Sequence, residues 1–166
     1  MPESTHLARA LERHFSNPKP AAFTNFVVVT DGLTAAQAAA LPAPRFNSVW
    51  GIVNHVWYWQ ESLLRLLRGE AHTHSDLGAP DESGWPPAGN VADESAWFAA
   101  CERALAANAA LAKFVAGMSA EELEQPLPVW GNARSQAILS IIAHNSYHTC
   151  EIISVRHMQG LWIEKT

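Results

Sequence analysis

Two histidines four residues apart on a helix can share one cation, because 3.6 residues per turn set both rings on one face, about 6 Å apart along the axis. His144 and His148 have that spacing in the stretch His144-Asn-Ser-Tyr147-His148-Thr-Cys150-Glu151, and Glu151, three residues further, comes round to the same side. The spacing alone decides little. Eight histidines in 166 residues give about 0.4 such pairs by chance, and a short motif without context is only a hypothesis. Taken alone, the pair reads more plainly as two satisfied histidines at the core or its rim, since buried polar groups need partners with or without a metal.

The element that must carry the pair is a run from Ser135 to Leu161 with no proline and a glycine only at Gly160. Ala137, Ile141, Ile152 and Val155 recur along it at helical spacing, which predicts one long helix. Leu139, Ile142, Cys150 and Ile153 form a second apolar stripe roughly opposite. A helix apolar on two sides is either central in a core or shared with another subunit, and a homodimer packed partly through this surface is expected.

A third histidine, His55, lies in a segment that Asn47 or Ser48 caps and that runs to Arg68 before Gly69. Val49, Ile52, Val53, Val56, Leu63 and Leu67 make a broad apolar arc on it, with His55 at the edge beside Trp59 and Leu66. Small Ser48, Gly51 and Ser62 on its own side leave room in a groove. A rim histidine bonded to a carbonyl or water explains His55 equally well from sequence. Of the seven tryptophans, most serve packing, given the area each buries, and Trp59 is the one placed near a site.

Composition narrows the class. A hydrophobic fraction of 48% with 16% charged residues predicts one folded domain spanning residues 1–166, large enough to need no staples. The net charge of -5 and the absence of a lysine or arginine cluster argue against a nucleic-acid partner. Cys101 and Cys150 are far apart and read as free thiols in a reducing compartment. No basic and apolar leader opens the chain and no apolar stretch can span a bilayer, so a cytoplasmic protein without membrane contact is expected.

The other elements are all helical. Ser4 is expected to cap a first helix running to about Phe15, broken by Asn17-Pro-Lys-Pro20. A segment Ala21 to Thr30 follows, with Pro20 in its first turn and Gly32 closing it. Thr34-Ala-Ala-Gln37 has the form of a capping box for a short helix before Pro42. Ala71 to Val91 reads as a surface loop with Trp85-Pro-Pro as a fixed turn; His72 and His74 in it belong to mobile surface rather than to a second metal pair. Asp93 caps a helix from Glu94 to Ala116, and Ser119-Ala-Glu-Glu122 is another capping box.

With four long helical stretches, a histidine in the second and a His-x-x-x-His pair in the fourth, the chain resembles the DinB/YfiT-like family of metal-binding four-helix bundles. Ser48-Val-Trp-Gly-Ile-Val-Asn-His55 is similar to that family's second-helix segment, and Ile138 to Trp162 to its last helix. The resemblance implies an all-α four-helix bundle with short accessory helices, and His55, His144 and His148 as ligands of one divalent ion, whether zinc, nickel, iron or manganese. It departs where many relatives carry Gly-Gln and this chain has Cys150-Glu151. The carboxylate there can be a fourth ligand, an outer partner or a proton acceptor, whereas Cys150 points away by angle. Characterised members of the family include enzymes that use small thiols, which implies a metal-dependent thiol S-transferase acting on a thiol and an electrophile, with Glu151 and Tyr147 as candidates for aiding proton transfer. A noncatalytic metal or small-ligand binding protein of a stress response, or a metal-dependent hydrolase, are the alternatives.

Overall fold

The computed structural model describes residues 1–17 and 24–163. Among them are seven α-helices and no strand: α1 Glu3–Phe15, α2 Phe26–Thr30, α3 Ala35–Ala39, α4 Val49–Leu67, α5 Glu94–Ala116, α6 Ala120–Glu124 and α7 Arg134–Met158. Each long helix ends where its chemistry changes. Ser48 caps α4 by accepting from Gly51 N–H, and Asp93 caps α5 by accepting from Ala96 N–H. Thr34 and Ser119 both form full capping boxes, as their sequences predict.

Three boundaries differ from the sequence reading. Ser4 lies inside α1 and is buried, while Pro2 takes the cap position without a side-chain bond. In the segment expected over Ala21 to Thr30, Thr24 and Asn25 stand outside the helix, which begins at Phe26, and Asn25 accepts from Val28 N–H; Ala21 to Phe23, and Pro20 before them, lie outside the described residues. The last helix stops at Met158 rather than Leu161, because Gly160 adopts φ +76° and Leu161 N–H turns back to the Arg156 carbonyl at 2.8 Å.

The four long helices α1, α4, α5 and α7 form the bundle, and α4 packs on both α5 and α7 while α1 closes the ring against the same two. Two apolar clusters fix their directions. One gathers Phe15, Val49, Ile52, Val53, Val56, Trp97, Ala104, Ile152 and Val155; the other gathers Leu7, Leu11, Leu63, Leu67, Leu111, Val115, Ala137, Ile138 and Ile141. Helices α4 and α5 therefore run the same way, and α1 and α7 run opposite to both. Fully burying each of the Leu, Ile, Val and Phe side chains among them stabilises the fold by about 1.5–3 kcal/mol.

Helices α2 and α3 carry the chain across one end of the bundle and are pinned there. Trp97 Nε1–H donates to the Leu33 carbonyl at 2.9 Å, and Glu94 accepts from Ala35 N–H at 2.9 Å. On the other side the buried Arg156 guanidinium donates to the carbonyls of Val29 and Asp31 at 2.8 and 2.9 Å. Because α4 and α5 are parallel, residues 68–93 must return along the bundle. They do so as a connection with one 3-10 turn at Ser75–Leu77.

Candidate metal centre

His55 projects from α4 toward α7, and His144 and His148 project back from successive turns of α7. One ring nitrogen from each lies within 4.8 Å of the others. His55 and His148 are each only 6% exposed, and His144 is half-buried.

Hydrogen bonds decide which nitrogens converge. His55 Nδ1 is 2.6 Å from the Gly84 carbonyl, which can only accept, so Nδ1 carries the proton and Nε2 is bare. His148 Nδ1 is 2.7 Å from Glu151 Oε2, which turns its Nε2 inward in the same manner. Glu151 is itself held, its Oε1 accepting from Asn47 Nδ2 at 2.9 Å. His144 Nε2 stands 3.2 Å from His55 Nε2, so these two nitrogens face each other, while its Nδ1 lies buried on the far side of the ring. Carbonyl and carboxylate partners on the far nitrogens are the arrangement that orients imidazoles toward a metal.

The electrostatics suit the same purpose. Burial first, then the backbone carbonyl of Gly84 acting against it, leave His55 at about 4, below the ordinary 6.5. His144 falls to about 3 through burial and then the neighbouring His148 and His55. His148 is also lowered, since burial outweighs the opposing Glu151 carboxylate. The short His148–Glu151 contact is thus a neutral imidazole bonded to a carboxylate at neutral pH. Three neutral rings are three lone-pair donors, which is the form a divalent cation requires.

The connection between α4 and α5 walls the site. Trp85 stacks on His55 with ring centroids 3.8 Å apart and planes at 9°, and meets His148 edge-on at 5.9 Å. Consecutive residues of α4 hold it there: Asn54 Nδ2 donates to the Pro87 carbonyl at 2.8 Å as His55 donates to Gly84. His72, which the sequence assigned to mobile surface, is instead docked, its Nε2 2.8 Å from Ser62 Oγ. Small Ser62, beside His55 on the helix, receives this loop. Gly84 is required where it stands. Its φ is +72°, and a Cβ would come within 2.5 Å of the Tyr58 ring and 3.0 Å of Trp59 Nε1.

A family model of the DinB superfamily matches residues 21–151, a span that contains all three histidines and ends on Glu151. The chain belongs to the DinB superfamily. No curated protein and no solved structure matches it.

In this DinB-superfamily chain, then, His55, His144 and His148 form the single group of three or more metal-competent side chains found among the described residues. Glu151 is bonded to a histidine rather than standing among the converging nitrogens. Tyr147 is 69% exposed, its ring edge against His148 with centroids 5.0 Å apart. Trp59 meets His55 at 6.3 Å and His144 at 6.5 Å, and carries Trp130 at 6.1 Å on its outer side. Cys150 is exposed and is not one of the converging groups. Sequence reasoning missed Gly84, Trp85 and Asn47. The available signal for the first two was the Gly84-Trp85-Pro86-Pro87 turn itself, a flexible residue followed by a rigidly held aromatic.

Proposed function

We propose that the protein is a divalent-metal-dependent enzyme of the thiol S-transferase type, with His55, His144 and His148 as the metal ligands. The observation that carries this reading is the convergence of one nitrogen from each ring within 4.8 Å, with the outward nitrogens of His55 and His148 already engaged. A divalent ion held by these three neutral imidazoles would keep its full charge and would make a thiol or water bound to it lose its proton more readily.

The chain's own residues do the rest. Gly84 and Glu151 fix the tautomers of His55 and His148, and Asn47 holds the carboxylate in place. Trp85 and the connection around it exclude water from one side, which strengthens every charge interaction within. In the transfer the thiol's proton would pass to solvent by way of the exposed Tyr147, the sulfur would bond to the electrophilic carbon, and the leaving group would depart with the electron pair of the broken bond. Glu151 acts on that centre through His148, and the exposed Tyr147 stands at the rim as a proton carrier.

Turnover of an electrophile with small thiols, compared between metal-loaded and metal-stripped protein, tests the proposal. A rate that depends on both metal and thiol is expected, and none would leave the alternative of a noncatalytic metal-binding protein. One observation favours that alternative: both Glu151 oxygens are already occupied by Asn47 and His148, so no free carboxylate faces the converging nitrogens. A metal-dependent rate with water in place of thiol would make it a hydrolase.

A homodimer through α7 belongs to the same reading. Leu139 is 53% exposed and Cys150 is exposed beside half-buried Ile142 and Ile153, which leaves an apolar strip on the outer face. Sedimentation at micromolar concentration checks it, a monomer being the adverse result. Both cysteines are free, and no helix among the described residues is long and apolar enough to cross a membrane; these observations support a reducing, cytoplasmic setting.

A further inference from the structure

The two apolar clusters of the bundle do not meet. On α4 the central stripe runs Val56, Gln60, Leu63, with Val56 in one cluster and Leu63 in the other. On α5 it runs Ala104, Asn108, Leu111, changing cluster across an amide, and on α7 it runs Ile141, Asn145, His148, Ile152, changing cluster across an amide and a site histidine. Gln60 and Asn108 are fully buried and Asn145 is 3% exposed. Three helices thus carry a buried amide between the two clusters, at positions where an apolar residue would continue the core.

Several polar atoms of these amides lack a geometrically sound protein hydrogen bond. Gln60 Oε1 and Nε2, Asn108 Oδ1 and Asn145 Oδ1 are all buried without a hydrogen bond, while Asn108 Nδ2 is spent on the Leu11 carbonyl at 3.2 Å. The set holds three acceptor oxygens and one nitrogen, Gln60 Nε2, with two protons to give. Direct pairing would leave it short of donors, and an unpaired buried amide costs about 1–3 kcal/mol.

We propose that this layer is a binding site for ordered water, one or more molecules bridging Gln60, Asn108 and Asn145 in the middle of the bundle. Water fits because it supplies the missing donors, accepts from Gln60 Nε2, and is small and uncharged like the groups around it. Asn145 directly follows His144, and its side chain lies close enough to act on that ring, so the water layer adjoins the ring nitrogen that faces away from the metal position. Only this last link rests on the metal reading.

A crystal structure of the metal-free protein, at a resolution that shows ordered water, tests the proposal directly. Density within hydrogen-bond distance of both Gln60 and Asn108 is expected; amides bonded to one another, or no density between them, overturns it. Thermal melting of Gln60→Met gives an independent answer. Removing a bridged amide lowers Tm by about 2–8 °C, whereas a rise in Tm shows that the amide was unpaired and sinks the proposal. Water found in a protein that binds no metal would leave this inference standing and the metal reading fallen.

Discussion

His55 and His148 turn the same nitrogen inward, yet the protein fixes them in opposite ways. His148 is held by Glu151, one turn along its own helix, and that carboxylate is anchored in turn by Asn47. His55 is held by the carbonyl of Gly84, a residue 29 positions away in the connection between α4 and α5, and by the face of Trp85. A partner on the same helix is present as soon as the helix forms. A loop partner exists only once the loop has docked, so the His55 half of the site depends on the fold of residues 68–93 and the His148 half does not.

The largest effect is expected from the ligands themselves. His55→Ala and His148→Ala should each weaken metal binding by more than the about 10–100-fold typical of losing an outer partner, measured by competition with a chelator; unchanged affinity in either variant removes that residue from the site. Acidification comes next. His55 at about 4 and His144 at about 3 remain neutral in the folded, metal-free protein after the unfolded chain begins to protonate near 6.5. Above that pH neither state takes up protons there. As pH falls from 6.5 toward 4 the unfolded state gains them alone, so stability declines and then levels near the lower values. A melting temperature flat through this window would contradict the assignment.

Gly84→Ala separates the two halves. It forces a left-handed backbone on a residue with a side chain, which costs about 1–3 kcal/mol, and presses Cβ into Tyr58. Lower Tm together with weaker metal binding is expected, and a loss of stability alone would show that the loop is not needed to orient His55. Glu151→Ala should cost about 10–100-fold in metal affinity with little change in melting, since only the local half is touched. Glu151→Gln keeps an acceptor for His148 Nδ1 and loses only charge, so its effect should be smaller. Asn47→Ala is expected to be smallest, about one ordinary hydrogen bond or roughly 1 kcal/mol, read in the same titration.

The same division explains what the sequence made legible. The helices were readable because their signals are local: capping boxes at Thr34 and Ser119, the Asp93 cap, and apolar residues returning every three or four positions. The pairing of His144 with His148 and the approach of Glu151 follow from helical periodicity alone. The join of His55 to that pair came from resemblance, since no periodicity links α4 to α7. Gly84 and Trp85 act across the chain from a stretch without periodicity, so nothing local pointed to their partner. Ser4 misled because a good capping residue stands two positions too late, with the chain entering the helix at Pro2 instead. The α7 end misled because its apolar pattern continues past Gly160, and only the backbone of that glycine reverses the chain.

The parallel course of α4 and α5 has a consequence for how such a site can diversify. A helix of 19 residues is about 28 Å long, so any chain that joins two such helices pointing the same way must lay a strip of backbone beside them from one end to the other. In this protein that strip passes the histidines, where Gly84 and Trp85 meet His55. Rewriting it on either side of Gly84 would reshape the surroundings of the three histidines while every bundle contact stayed in place, so variation in the crossing can change what is admitted as long as the carbonyl that holds His55 is kept.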